Sequence, residues 1–296
     1  MRGGEPSSGA GVWWEAARPR TLGVSLIPVL VGGALAHHQR GFRPGALLAA
    51  GVGALAIQVA TNFANDAEDA ARGADADRVG PRRLVAAGLV SRATMIKAAL
   101  IAFGVAALAG VVLVAMAGRV VVAIGLASIV AALGYVGGPL PYGYRGWGEL
   151  FAFLFFGPVA TVGSRFVHDR TAPAEAWWLA VPIGMLAAAI LLANNLRDLE
   201  TDAAAGKLTL AVRLGAGPSR AVYLGLMMGA FAVLAGTAAF SWVPGWSALG
   251  LLALAFSPPL VSGVGASGAQ LGPLLWGTAR LQMVGGLLIA IGLFAS

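Results

Sequence analysis

The chain has 296 residues, 58% of them hydrophobic and 11% charged, with a mean hydropathy of +0.80 and a formal net charge of +7. That composition excludes an ordinary soluble domain, and the absence of cysteine excludes disulfides, thiolate metal sites and cysteine nucleophiles. The basic residues are scattered over many short loops, so the expected surroundings are membrane lipid and no nucleic-acid partner is expected.

Residues 1–15 are polar and Gly/Ser-rich and lack the layout of a secretory signal; they read as a disordered cytoplasmic lead to a single transmembrane domain over 16–296. Crossing a hydrocarbon core of roughly 30 Å takes about 20 apolar residues per helix. Windows bounded by Arg, Pro, Gly or Asp predict nine spans, near 20–38, 45–66, 93–117, 119–137, 147–166, 176–197, 220–240, 246–264 and 273–295. Several are short or glycine-rich, so eight or ten also fit. The expected fold class is all-α, a polytopic membrane bundle.

With the N-terminus inside, 13 Arg and Lys residues fall on the cytoplasmic side and five on the other, Arg40, Arg43, Arg119, Arg165 and Arg170, while Lys97 and Arg280 fall within helices. This positive-inside bias predicts a multi-pass protein of a cell inner membrane, with connections 67–92 and 198–219 both cytoplasmic.

Of the 13 acidic residues, eight occupy those two connections and the helix ends that lead into them: Asp66, Glu68, Asp69, Asp75 and Asp77, then Asp198, Glu200 and Asp202. Helical geometry predicts that Asn62, Asp66 and Asp69 share one face, and likewise Asn194, Asp198 and Asp202, with Glu68 and Glu200 turned away. Carboxylates this close repel one another and are costly to desolvate. A divalent cation would compensate, and hard oxygen ligands select magnesium, which takes one or two carboxylates per site and completes its shell with phosphate oxygens and water. A cation-coupled transporter is the competing reading, although transporters place such acids near the membrane midplane.

Four stretches resemble the UbiA superfamily of intramembrane prenyltransferases, and within it the 1,4-dihydroxy-2-naphthoate branch. They are Arg18 to Leu22 with Pro28 to Gly32; Asn62 to Asp69 with Gly73, Asp75 and residues 80–85; Tyr135 to Glu149 with residues 155–160; and Asn194 to Leu214. The resemblance implies nine helices around a central cavity, and Asp75 as a substrate-site acid where the general family pattern has one at position 73. It also implies Mg2+-dependent transfer of a polyprenyl group from its diphosphate to an aromatic acceptor. In such a site Asp66, Asp69, Asp198 and Asp202 would hold the metal, and Arg72, Arg145, Arg197 and Lys207 would meet the diphosphate, with Arg145 and Lys207 foremost. Asn62, Asn65, Asn194 and Asn195 would orient carboxylates or ligand waters. Tyr135, Tyr142, Tyr144 and Phe63 would line the path of the allylic cation. The acceptor implied is 1,4-dihydroxy-2-naphthoate, giving demethylmenaquinone; 4-hydroxybenzoate or homogentisate would use the same site.

Overall fold

The computed structural model describes residues 9–74 and 82–296, and every regular element among them is helical. Asp75 and Asp77 lie outside the described residues. Helix α1 (Gly9–Ala17) is followed by α2 (Pro19–His38), α3 (Pro44–Ala71), α4 (Arg92–Ala117) and α5 (Val120–Gly134). A 3-10 turn, Tyr142–Arg145, leads to one continuous span built from α6 (Gly148–Leu154), a π-helix (Phe155–Val162) and α7 (Gly163–Asp169). Then come α8 (Ala174–Arg197), α9 (Leu199–Ala204), α10 (Leu210–Leu214) and α11 (Ala216–Ala239). A 3-10 stretch (Gly245–Phe256), α12 (Pro258–Gly263), a short 3-10 turn and α13 (Gly272–Phe294) complete the chain.

Seven of these helices are long and apolar enough to cross a membrane. The expected fourth and eighth spans correspond to two shorter apolar helices, Val120–Gly134 and Gly245–Phe256, so seven full-length helices and two shorter ones stand where nine spans were expected. Gly134 and the Gly-Gly pair 137–138 stop the first, and Pro244 and Pro258 bracket the second. Residues 9–15, expected to belong to a disordered lead, are helical as part of α1. Its Trp13 packs edge-on against Phe63 of α3 at 5.7 Å, and burial of that apolar face orders the segment.

Prolines at the first turn open α2, α3 and α13, and side-chain oxygens cap α4 and α10: Ser91 accepts from Thr94 N–H and Thr209 from Val212 N–H. The chain alternates direction, so the ends of α3 and α8 and the starts of α2 and α6 gather at one end. The opposite end holds the turn before α3, where Arg43 N–H donates to His168 Nδ1 at 2.9 Å, and the C-terminus, where Ser296 meets His38. All three histidines therefore lie away from the acidic segments. Exposed Trp178 and Trp242 stack at 4.8 Å near that far end, as an interfacial aromatic belt would.

Helix α8 is the most buried span and packs against α6, the π-helix, α11 and α13, whereas α4 turns Leu100, Ile101, Leu108 and Val111 outward to where lipid would lie. Backbone approach at the π-helix depends on two facing glycines: a Cβ on Gly157 would sit 2.8 Å from the Ala180 carbonyl oxygen, and one on Gly184 2.6 Å from that of Phe153. Gly184→Leu is therefore expected to lower the unfolding temperature in detergent by several degrees or to prevent folding. A melting curve equal to wild type would show that the contact is soft.

Candidate active site

A cavity of about 420 Å3 runs inward from the acidic end, between α2, α3, α4, α5, the α6–α7 span and α8. Its mouth carries Arg18, Asn62, Asn65, Asp69, Arg83, Asn194, Arg197 and Lys207, and its depth is lined by apolar and small residues of α3, α4, α5 and the π-helix. Pro158 offers no N–H inside that span, and the helix widens there to π geometry, turning Phe155, Phe156 and Val159 onto the cavity wall.

The first acidic segment is the buried end of α3. Asp69 is 2% exposed; Tyr144 Oη donates to its Oδ1 at 2.8 Å and Arg83 Nη2 to its Oδ2 at 3.3 Å. Asp66 is equally buried but turns toward the following loop, its Oδ2 and Oδ1 accepting the Leu84 and Val85 N–H groups at 3.0 Å. The cavity face of α3 is thus Asn62, Asn65 and Asp69, with Asp66 rotated off it. Asn62 bonds the Ala17 carbonyl that ends α1, while Asn65 Oδ1 is buried with no hydrogen-bond partner. Glu68 is turned away, as expected, and pairs with Arg92 at 2.6 Å.

The second segment breaks the expected Asn194, Asp198, Asp202 stack. Helix α8 ends at Arg197 and Asp198 joins it to α9 with φ −94° and ψ 12°. Arg197 clasps Asp198 through two bonds of 2.7 Å and also donates to Asn194. Buried Lys207 stands 3.6 Å from Asp202 Oδ1. Asn195 turns from the cavity to Glu149, and Glu200 is exposed.

Tyr144 joins the two segments. Besides its bond to Asp69, its carbonyl accepts Leu208 N–H at 3.1 Å, and Arg72 and Lys207 lie over its ring at 5.3 and 5.2 Å. It lies outside the cavity lining, as does Phe63, which packs on Trp13, so the structure does not bring either onto the expected cation path. Tyr135 and Tyr142 do line the cavity and continue into Phe151 and Phe155 as a row of rings with centroids 3.9–6.0 Å apart. Burial pushes both phenols up from their ordinary value, which favours the neutral form. Arg145 is exposed and off the cavity wall, in the 3-10 turn that leads into α6. Arg72 is likewise exposed, bonding the Gly138 carbonyl.

Arg18, Arg83, Phe151 and Phe155 also line the cavity and were not among the expected site residues. Arg18 adopts φ +54° between α1 and α2, a left-handed conformation unusual for a non-glycine residue and common at functional sites. The Arg-Pro and Arg-Arg stretches that carry the resemblance already contained both arginines.

The profile of the UbiA prenyltransferase family matches residues 25–262. The chain is 41% identical to the 1,4-dihydroxy-2-naphthoate octaprenyltransferase of Mycobacterium tuberculosis, over 94% of this chain and 95% of that one. It belongs to the UbiA prenyltransferase family. The protein of the same name from Escherichia coli is 35% identical, over 96% and 95% of the two chains. Among solved structures, a UbiA homolog from Archaeoglobus fulgidus bound to GPP and Mg2+ superposes with a TM-score of 0.67 at 14% identity, covering 96% of this chain and 99% of that chain, which shows a shared fold. As a UbiA-family member the chain is a prenyltransferase and an integral membrane protein.

Within this family frame Tyr144→Phe isolates one bond, removing the donor to Asp69 while keeping the ring. A several-fold loss in kcat with an unchanged melting temperature is expected. Unchanged kcat would remove Tyr144 from the site.

Proposed function

We propose that this chain transfers a polyprenyl group from its diphosphate to 1,4-dihydroxy-2-naphthoate, giving demethylmenaquinone in its quinol form, diphosphate and carbon dioxide. One observation carries the reading of the donor: a cavity charged at its mouth and apolar along its depth fits a diphosphate head with a long hydrocarbon tail. The names of relatives similar along nearly the whole chain supply the acceptor.

The donor set fits magnesium. Asp69 and the orphaned Asn65 Oδ1 stand on one side of the mouth, Asn194 on the other with Asp198 and Asp202 behind it. Among the described residues no three acidic or histidine side chains form a ready-made metal cluster, so a magnesium ion held here would need diphosphate oxygens and water to complete its shell. Asp69, Asp198 and Asp202 would hold it, with Asp66 contributing the lone pairs its loop bonds leave free. Bound there, the metal neutralises charge that develops on the leaving group.

Arg83, Arg197 and Lys207 receive the diphosphate as the bond from oxygen to the first prenyl carbon breaks and its electron pair leaves with oxygen. The row Tyr135, Tyr142, Phe151 and Phe155 faces the allylic cation and excludes water from it. The electron-rich ring carbon that carries the carboxylate bonds to that cation. Loss of carbon dioxide returns an electron pair to the ring, so no separate base is required. The excess of basic residues in the connections at that end supports a mouth on the cytoplasmic side of a cell inner membrane.

Membranes supplied with labelled polyprenyl diphosphate, the naphthoate and magnesium are expected to form a lipid-soluble product that chelation abolishes. Product from 4-hydroxybenzoate or homogentisate but none from the naphthoate would overturn the acceptor assignment. No product from any of them would overturn prenyl transfer.

A further inference from the structure

The reaction as outlined leaves a buried acid unused. Glu149, the second residue of α6, is 5% exposed and absent from the cavity wall, although its neighbours Gly148 and Tyr135 line it. Asn195 Nδ2 donates to Glu149 Oε1 at 2.8 Å. The remaining atoms of the pair, Glu149 Oε2 and Asn195 Oδ1, are both buried and have no hydrogen-bond partner.

An ionised carboxylate has only acceptors to offer, so it cannot satisfy the amide oxygen. A buried charge without a counter-charge is also far costlier than a neutral group. No basic side chain bonds to Glu149 among the described residues. Its ionisable neighbours are Tyr135, at the end of α5, and Asp202, in α9, the latter paired with Lys207. The first turn of α6 favours negative charge but does not bring a donor to Oε2.

We propose that Glu149 is a positioning residue that holds the second acidic segment through Asn195, as a neutral acid–amide pair in which each partner donates one hydrogen bond and accepts one. Asn195 shares the last turn of α8 with Asn194 and Arg197, which face the cavity, and Arg197 clasps Asp198 just beyond the helix end. Side chains on one helical turn keep fixed angles to one another, so fastening Asn195 to α6 sets the rotation at which the others meet the substrate. The kinetic part of this inference rests on the proposed prenyl transfer; the protonation of Glu149 does not.

Glu149→Gln and Glu149→Ala separate the possibilities in full-length protein held in lipid nanodiscs. Glutamine keeps the Oε1 acceptor and brings an N–H for Asn195 Oδ1 without any proton to gain or lose. Glu149→Gln is expected to keep kcat, both KM values and the magnesium activation curve within about twofold of wild type, while Glu149→Ala lowers kcat about tenfold or more. Infrared difference spectra of wild type against Glu149→Gln at neutral pH are expected to show a protonated carboxyl carbonyl band that shifts in D2O. A Glu149→Gln variant as impaired as Glu149→Ala, wild-type kinetics in Glu149→Ala, or no carboxyl band would each overturn the proposal. Inactivity of the wild type toward the naphthoate would count against the proposed function, and the infrared band would then decide this inference alone.

Discussion

Asp69→Asn is expected to lower kcat about 100-fold or more while leaving the melting temperature near wild type. Asp69 is where the site's separate parts meet, lying on the cavity wall and receiving Tyr144 from one loop and Arg83 from another. Asparagine keeps the volume and one acceptor but removes the charge that a magnesium diphosphate needs. Glu68→Ala is the matched control. One residue away, Glu68 pairs with Arg92 off the cavity, and the variant should retain most activity. Steady-state kinetics with saturating magnesium decide the comparison. Equal losses in the two variants would mean that proximity to the acidic segment matters and orientation does not.

Gly125→Phe tests the depth of the cavity. Gly125 lines the wall on α5, nine residues before that helix ends, which places it about 14 Å inward from the mouth end. Beyond its own stretch of helix, no atom lies within 4 Å of the Cβ that a substitution would add, so a side chain can start from this position into the cavity. With a long polyprenyl diphosphate, activity is expected to fall about tenfold or more, whereas geranyl diphosphate, ending short of the obstruction, should be used nearly as in wild type. Competition between the two donors measures the ratio directly. An equal fall with both donors would place the prenyl chain elsewhere.

Much of the site was legible because membrane energetics penalise charge. Thirteen acidic residues in 296 are few enough that their clustering stands out, and Asp66, Asp69, Asp198 and Asp202 are indeed buried at one end of the bundle. Rotation about each helix was less legible. An ideal period put Asp66 and Asp69 together on the cavity face, but two loop N–H groups draw Asp66 aside, and α8 stops at Arg197 before the expected stack is complete. Arg83 lines the cavity and Arg145 does not, for a similar reason. Both lie in irregular connections, where hydropathy has no period to report, and only the loop's path decides which guanidinium is turned inward.

Sequence alone determined the membrane class, the all-helical fold, the two acidic segments and the family, since each depends on composition or on residues close together in the chain. Tertiary structure decided which side chains share the cavity. It joined Tyr144 to Asp69 across 75 positions and Glu149 to Asn195 across 46, and it shortened two of the nine expected spans. The physical reason is that hydropathy measures whether a segment prefers lipid, whereas the aim of a carboxylate depends on donors brought to it by distant segments.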